Sequence, residues 1–216
     1  MLHTRLYTPE DYDGLIALFD DAYAGIDDNY ASAEDMVDLM NHFPDGQIVA
    51  ELDGEIVGVI LSLHCKYAQF SQPQRMADIY NPDLFASHSE NADSLFALEI
   101  LVKSTHHRKG IGKMLNAALT KTLERHNLRA FIGISRLSGY GQYQSQFGPE
   151  EYVRKVVSGE LNDPSLSYNV SNGMMPTQVV PQYYPADHAS AGYGTIVIQP
   201  NPHYILPIQK SYPIAI

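Results

Sequence analysis

The stretch LFALEILVKSTHHRKGIGKMLNAALTKTLERHN, residues 95–127, decides the fold. Residues 95–102 are apolar enough to predict a buried strand, and residues 103–109 form a short polar loop. After Gly110 and Gly112, the spacing of apolar residues by three and four predicts an amphipathic helix with one face on a sheet. That face comprises Ile111, Met114, Leu115, Ala118, Leu119, Thr122 and Leu123. A strand that leads into a helix through glycines presents unpaired backbone N–H groups at the positive end of the helix dipole, which predicts a phosphate-binding point.

A single carboxylate, Glu99, interrupts the apolar strand. Burying an unpaired charge is costly, so such a group needs either a partner or a raised pKa. Glu99 is therefore a candidate general base. A solvated strand face, or a pairing with an arginine, explains the same residue equally well.

Composition indicates one globular domain. The 216 residues are 44% hydrophobic and 18% charged, which is ordinary for a folded chain that can bury a substantial core. No apolar run approaches the length of a membrane span and the amino terminus lacks a signal-peptide pattern, so we expect a cytoplasmic protein with no membrane partner. The single cysteine, Cys65, rules out an intramolecular disulfide and a cysteine zinc cluster. Its apolar context favours a packed thiol over a catalytic one.

The charge balance narrows the class of partner. A net charge of −11 repels nucleic acid and anionic membranes, so a nucleic-acid partner is not expected and a cationic amine is easier to accommodate. Nine histidines are scattered along the chain without metal-ligand spacing, and we expect no metal.

The residues before the central stretch predict a strand, two helices and a hairpin. Thr8 and Ser32 each precede a helix-start pattern. The β-rich runs 47–52 and 55–63 flank Asp53 and Gly54, a strong hairpin-turn signal. Residues 66–93 have little periodicity and are interpreted as an inserted loop, either a lid over a binding site or a surface excursion. Tyr80 and His88 are its notable side chains, without an assigned role.

After the central helix, residues 130–135 predict a strand parallel to the strand at residues 95–102. Residues 149–159 predict a helix, and Asp163 caps another that ends at Gly173. Two final strands are expected at residues 177–184 and 193–199. The neighbours Asp187 and His188 lie between them, and a turn-stabilising aspartate is favoured over a catalytic pair. Residues 203–216 are an apolar, proline-punctuated tail that packs on the surface or in a homodimer.

A resemblance follows from these residues. Glu99, Val102 and the run His107-Arg108-Lys109-Gly110-Ile111-Gly112 resemble the acyl-CoA-binding segment of the GNAT N-acetyltransferase superfamily, whose signature is Arg/Gln-x-x-Gly-x-Gly/Ala after a strand. His107 stands at the Arg/Gln position. Four further segments, at residues 43–47, 138–140, 151–156 and 163–166, resemble the GNAT-type domain joined to nitrilase-like carbon–nitrogen hydrolases in bacteria.

This resemblance implies a fold and an activity. The fold is α/β, with a mixed central sheet whose parallel strands splay apart and helices on both sides, in one domain over residues 1–202. The activity is transfer of an acetyl group from acetyl-CoA to a primary amine of a small molecule or peptide. Glu99 would deprotonate the amine, while Leu101 and Val102 would hold the pantetheine arm. The pyrophosphate would be held by His107, Arg108, Lys109, Gly110, Ile111, Gly112 and Lys113.

The acid that protonates the departing thiolate is the open part of this interpretation. Family members often carry Phe-Tyr-x-x-x-Gly-Phe, and counting back from Gly173 places Asn169 where the tyrosine stands. Tyr168 is one residue away, and is either the acid or a core side chain. Asn169 and His107 together motivate an alternative function, a catalytically weak or inactive CoA-binding sensor. The resemblance to the nitrilase-associated domain and the apolar tail suggest an interaction module that acts with a nitrilase-like hydrolase.

Overall fold

The structure is a computed structural model that describes residues 1–23, 32–71 and 92–206. Tyr80, His88 and most of the 203–216 tail lie outside the described residues. The strands are β1 (Leu2–Leu6), β2 (Ile48–Leu52), β3 (Glu55–Cys65), β4 (Ser94–Val102), β5 (Ala130–Arg136), β6 (Met175–Val180) and β7 (Gly194–Pro200). The helices are α1 (Tyr12–Ala22), α2 (Ala33–His42), α3 (Ile111–Arg125), α4 (Pro149–Val157) and α5 (Pro164–Ser171).

The described strands form one mixed sheet in the order β1-β2-β3-β4-β5-β7-β6. Every neighbouring pair is antiparallel except β4 and β5, which are parallel and joined through α3. Their ladder contains only the pairs Leu95↔Phe131 and Phe96↔Ile132, although both strands continue well beyond it. The predicted mixed sheet with splayed parallel strands is therefore confirmed.

Local signals explain why the elements begin where they do. Asp53 and Gly54 have φ angles of 52° and 88°, the left-handed pair that a two-residue hairpin turn requires. The Ser32 hydroxyl accepts a hydrogen bond from the Asp35 N–H and caps α2. The Asp163 carboxylate accepts from the N–H groups of Ser165 and Leu166 and caps α5.

Apolar residues cover both faces of the sheet. On one face, α1 and α2 contribute residues such as Leu15 and Met36, and the Cys65 thiol is buried among them. On the other face, α3, α4 and α5 contribute residues such as Leu119, Tyr152 and Leu166. Two-sided burial suits this sheet, since its central strands β3, β4 and β5 contribute apolar residues to the clusters on both faces.

The first of the last two strands, β6, begins two residues earlier and ends four residues earlier than predicted. The strand predicted over residues 177–184 ends at Val180, because Gln182 takes a left-handed backbone with φ of 53° and the chain turns there. The final strand, β7, inserts between β5 and β6, so that it pairs with β5 over seven residues. This pairing brings the turn at residues 181–193 next to the carboxyl end of β5.

Candidate active site

A cleft of about 890 Å³ opens where β4 and β5 separate. Its walls come from the end of α1, the carboxyl halves of both strands, the beginning of α3, and α5. The predicted site residues that line it are Glu99, Leu101, Val102, His107, Arg108, Gly110, Ile111, Gly112, Lys113 and Tyr168. Lys109, also predicted, is exposed and does not line the cleft. The separation of β4 and β5 thus creates one cavity that ten of the predicted site residues line.

The amino end of α3 presents free backbone donors to this cleft. No described residue accepts a hydrogen bond from the N–H of Gly110, Ile111, Gly112 or Lys113. Gly110 is the N-cap with φ of 83°, and Arg108 is also left-handed with φ of 61°. Alternating left-handed residues turn successive N–H groups toward one point, which forms an anion-binding concavity at the positive end of the helix dipole.

Two side-chain contacts hold the loop between β4 and α3. The His107 Nε2–H donates to the carbonyl oxygen of Val102 at 2.8 Å, so the imidazole binds the loop to the strand. The Asp21 carboxylate of α1 accepts from the backbone N–H and hydroxyl of Ser104, at 2.5 and 2.7 Å. These hydrogen bonds hold the pKa of Asp21 below its usual range. The free donors of α3 are therefore presented by a braced loop.

A β-bulge in β4 decides which way Glu99 points. Leu61 pairs with Glu99 and Ser62 with Ala97, which leaves Leu98 as an extra residue. Before the bulge, Leu95 and Ala97 pack on the α3 side of the sheet. Leu98 packs on the α1 side, and Glu99 accepts a hydrogen bond from the Tyr23 hydroxyl at 2.8 Å on that same side. Without the extra residue, strict alternation would place Glu99 with Leu95 and Ala97.

The surroundings of Glu99 make it a carboxyl that titrates near neutral pH. Burial raises its pKa to about 7, while the hydrogen bond from Tyr23 and the positive charge of Arg136 oppose that rise. Burial and the nearby Glu99 together raise the pKa of Tyr23, so its hydroxyl remains a donor. A carboxyl balanced in this way can accept a proton from a bound molecule.

Sequence reasoning missed an ion pair in the same cleft, between Arg136 and Asp187. Arg136 ends β5 and lines the cavity, and the Asp187 side chain is buried. The Asp187 Oδ2 atom lies 2.8 Å from both Nε and Nη2 of Arg136. The Asp187 side chain makes no hydrogen bond within its own turn, where only its backbone carbonyl accepts from the Gly192 N–H at 3.0 Å, so the predicted turn-stabilising carboxylate instead pairs with Arg136. The sequence did contain one signal for this ion pair, namely that Arg136 follows directly on the apolar run at residues 130–135.

Tyr168 packs over the beginning of α3. A Cβ atom on Gly112 would lie 2.7 Å from the Tyr168 hydroxyl oxygen, so glycine is required for this close approach. The hydroxyl is buried and has no hydrogen-bond partner among the described residues, and burial raises its pKa to about 12. Asn169 lines the same wall. Tyr168 is therefore both a packed side chain and an unsatisfied donor beside the cleft.

Comparison with known proteins places this chain in a family. The model of the acetyltransferase (GNAT) family matches residues 12–137, more than half of the chain. The chain belongs to the GNAT acetyltransferase family. The matched region contains β4, the bulge, the loop and α3.

Two Bacillus subtilis relatives of this GNAT chain match nearly all of it. The probable hydrolase YhcX is 29% identical over 203 residues, which cover 94% of this chain and 39% of YhcX. The uncharacterized N-acetyltransferase YkwB is 28% identical over 206 residues, 94% of this chain and 90% of YkwB. The chain therefore spans about two fifths of one relative and nearly all of the other.

Solved structures show the same GNAT fold. The loading GNATL domain of CurA from Lyngbya majuscula superposes with a TM-score of 0.78 at 22% identity, covering 94% of this chain and 99% of that domain. The GphF GNAT-like decarboxylase in complex with isobutyryl-CoA gives 0.74 at 22% identity, covering 92% and 99%. An aminoglycoside 6'-N-acetyltransferase complexed with coenzyme A gives 0.58 at 15% identity, covering 92% and 97%.

The described ranges contain neither a helix suited to a membrane nor a cluster suited to a metal ion. None of the helices there combines the length and apolar character that a bilayer crossing requires. Nor do residues 1–23, 32–71 and 92–206 bring three or more His, Cys, Asp or Glu side chains together as a metal-ion site.

Proposed function

We propose that this GNAT protein transfers an acetyl group from acetyl-CoA to a primary amine of a small molecule or peptide, with Glu99 as the general base. The observation that supports this most directly is a carboxyl with a pKa of about 7 in the same cleft as the free N–H groups of α3. One feature suits a proton acceptor and the other suits a pyrophosphate.

Acetyl-CoA would lie in the splay between β4 and β5. The N–H groups from Gly110 to Lys113 would hold the pyrophosphate, with the charges of Arg108 and Lys113 beside them. Leu101 and Val102 would supply backbone groups to the pantetheine arm, as an added strand does. The His107 ring contributes by fixing the loop, since it already donates to Val102.

In the reaction, the amine nitrogen forms a bond to the thioester carbonyl carbon and the C–S bond breaks with its electron pair on sulfur. Glu99 takes one proton from the amine, directly or through water. The thiolate takes a proton from an acid or from solvent. Tyr168 is the candidate acid on the cleft wall, because with a pKa of about 12 its hydroxyl is protonated at neutral pH.

The test is thiol release from acetyl-CoA with a panel of primary amines, together with calorimetric CoA binding. Glu99→Gln should lower kcat by about 10²–10⁴-fold, the usual contribution of a general base, and leave acetyl-CoA affinity nearly intact. Unchanged turnover with an accepted amine would remove Glu99 from the mechanism. Tyr168→Phe tests the acid in the same assay, since it keeps the packing on Gly112 and removes only the hydroxyl.

A second candidate function follows from one comparison. YhcX is named a probable hydrolase, and this chain covers only 39% of its length. A GNAT domain that binds CoA without transfer could serve as an interaction module for a separate nitrilase-like hydrolase. Product formation from any amine at catalytic amounts of protein would exclude a domain that binds CoA without transferring the acetyl group. Failure of the two proteins to co-purify would exclude the partnership.

A further inference from the structure

The part of the cleft that contains Glu99 lies on the α1 side of the sheet. The β4 bulge turns Glu99 to that side, where Tyr23 donates to it. Along β5, Ile132 and Ile134 pack on the same side. Two-residue alternation therefore brings Arg136, at the end of β5, to the face that Glu99 occupies. A carboxyl and a guanidinium thus share one wall of the cavity.

The ion pair with Asp187 fixes the Arg136 side chain but uses only one edge of it. Asp187 Oδ2 is 2.8 Å from Nε and from Nη2. The Nη1 atom has no hydrogen-bond partner among the described residues, and the side chain retains 32% of its exposure. The edge formed by Nη1 and Nη2 can donate two parallel hydrogen bonds to a second carboxylate. Asp187 therefore acts as an orienting group for a cation that lines the cavity.

We propose that Arg136, oriented by Asp187, binds a carboxylate of the acyl acceptor, so that the acceptor belongs to the amino-acid class. This inference rests on the proposed acetyl transfer and specifies its substrate. An amino acid carries an amine and a carboxylate a few ångströms apart. The amine would be presented to Glu99 while the carboxylate pairs with the free edge of Arg136.

A purely electrostatic role is the competing explanation. The positive charge of Arg136 opposes the rise in the pKa of Glu99, so its loss would alter any amine's turnover through the base. That role affects all acceptors alike. Carboxylate binding affects only acceptors that have the carboxylate, and it affects mainly KM.

The experiment compares matched pairs of acceptors at saturating acetyl-CoA: the standard amino acids and the amines that their decarboxylation gives, such as histidine with histamine and tyrosine with tyramine. The wild type should favour the carboxylated member by roughly 10–100-fold in kcat/KM, as expected for a charge-assisted hydrogen bond. Arg136→Gln should remove most of that preference, chiefly by raising KM. A preference for the decarboxylated member, or equal losses for both members in Arg136→Gln, would overturn the proposal.

Folding and the source of the carboxylate need their own controls. Arg136→Gln leaves Asp187 buried without its cation, so the double variant Arg136→Gln/Asp187→Asn provides a folded comparison with both charges removed. Arg129→Gln is the matched control, since Arg129 precedes the same strand, stacks on Tyr67 and lies outside the cleft. It should retain the wild-type preference. If Arg136→Gln instead changes discrimination between succinyl-CoA and acetyl-CoA, the carboxylate belongs to the donor and the proposal is wrong.

Failure of the proposed transfer would be visible separately. If no amine releases thiol, calorimetry of amino acids added to the CoA-saturated protein still tests Arg136. Binding heat from amino acids that Arg136→Gln abolishes would support the carboxylate site without the transfer reaction. No heat from any amino acid would overturn it.

Discussion

At the scale of single residues, the raised pKa of Glu99 fixes how activity depends on pH. Glu99 acts as a base only when its carboxyl is ionised. With a pKa of about 7, this ionisation should make kcat/KM of the proposed transfer rise about tenfold per pH unit below pH 7 and level off above it. The acceptor amine ionises in the same assay. Glu99→Gln shares the amine's contribution but lacks the Glu99 limb, so the ratio of the two pH–rate profiles isolates this residue. A ratio that is constant from pH 5.5 to 8.5 would contradict the assignment.

Glu99 should also make the stability of the fold depend on pH, in a direction that its raised pKa determines. The pKa of Glu99 is raised from the ordinary 4.5, so the folded chain holds this proton more tightly than the unfolded chain. Its stabilising contribution is complete below pH 4.5 and is lost as the pH rises through 7. Glu99→Gln lacks this titration. The free energy of unfolding of Glu99→Gln minus that of the wild type should therefore be higher at pH 8 than at pH 4.5, by on the order of 1–3 kcal/mol. Urea denaturation at both pH values measures this, and an equal difference at both would contradict it.

At the scale of one element, the beginning of α3 depends on the left-handed backbone of Gly110. Nothing lies within 4 Å of a Cβ placed there, so Gly110→Ala acts through conformation alone. It should cost about 1–2 kcal/mol and redirect the first N–H groups, lowering CoA affinity at least about tenfold.

Gly159 offers a matched control for that variant. It has φ of 80°, is equally open, and lies after α4 outside the cleft. Gly159→Ala should lose similar stability in thermal unfolding and keep CoA affinity in calorimetry. If both variants lost CoA affinity equally, or if Gly110→Ala lost none, the phosphate site would not lie at the beginning of α3.

At the scale of the whole molecule, the sheet has its shortest ladder where β4 and β5 separate to form the cleft. Two residue pairs join β4 to β5, whereas β5 and β7 pair over seven residues. A ligand held in this splay contacts both halves and should stabilise the fold. At 100 times its Kd, CoA should add about 2.7 kcal/mol, roughly 5–10 °C in Tm for a chain of this size. Thermal unfolding checks this, with Gly110→Ala showing a smaller shift at the same concentration. No shift in the wild type would contradict binding in the cleft.

The sequence by itself determined β4, the loop and α3, because periodicity, a glycine N-cap and a buried strand are local properties. It also indicated Glu99 as the misfit in its strand. The tertiary structure decided which face Glu99 takes, because the bulge at Leu98 arises from pairing with β3 and reverses the alternation. It also decided that Arg136 meets Asp187, 51 residues away, because β7 inserts beside β5 and brings the preceding turn there. Such contacts depend on how distant elements pack, which no local pattern encodes.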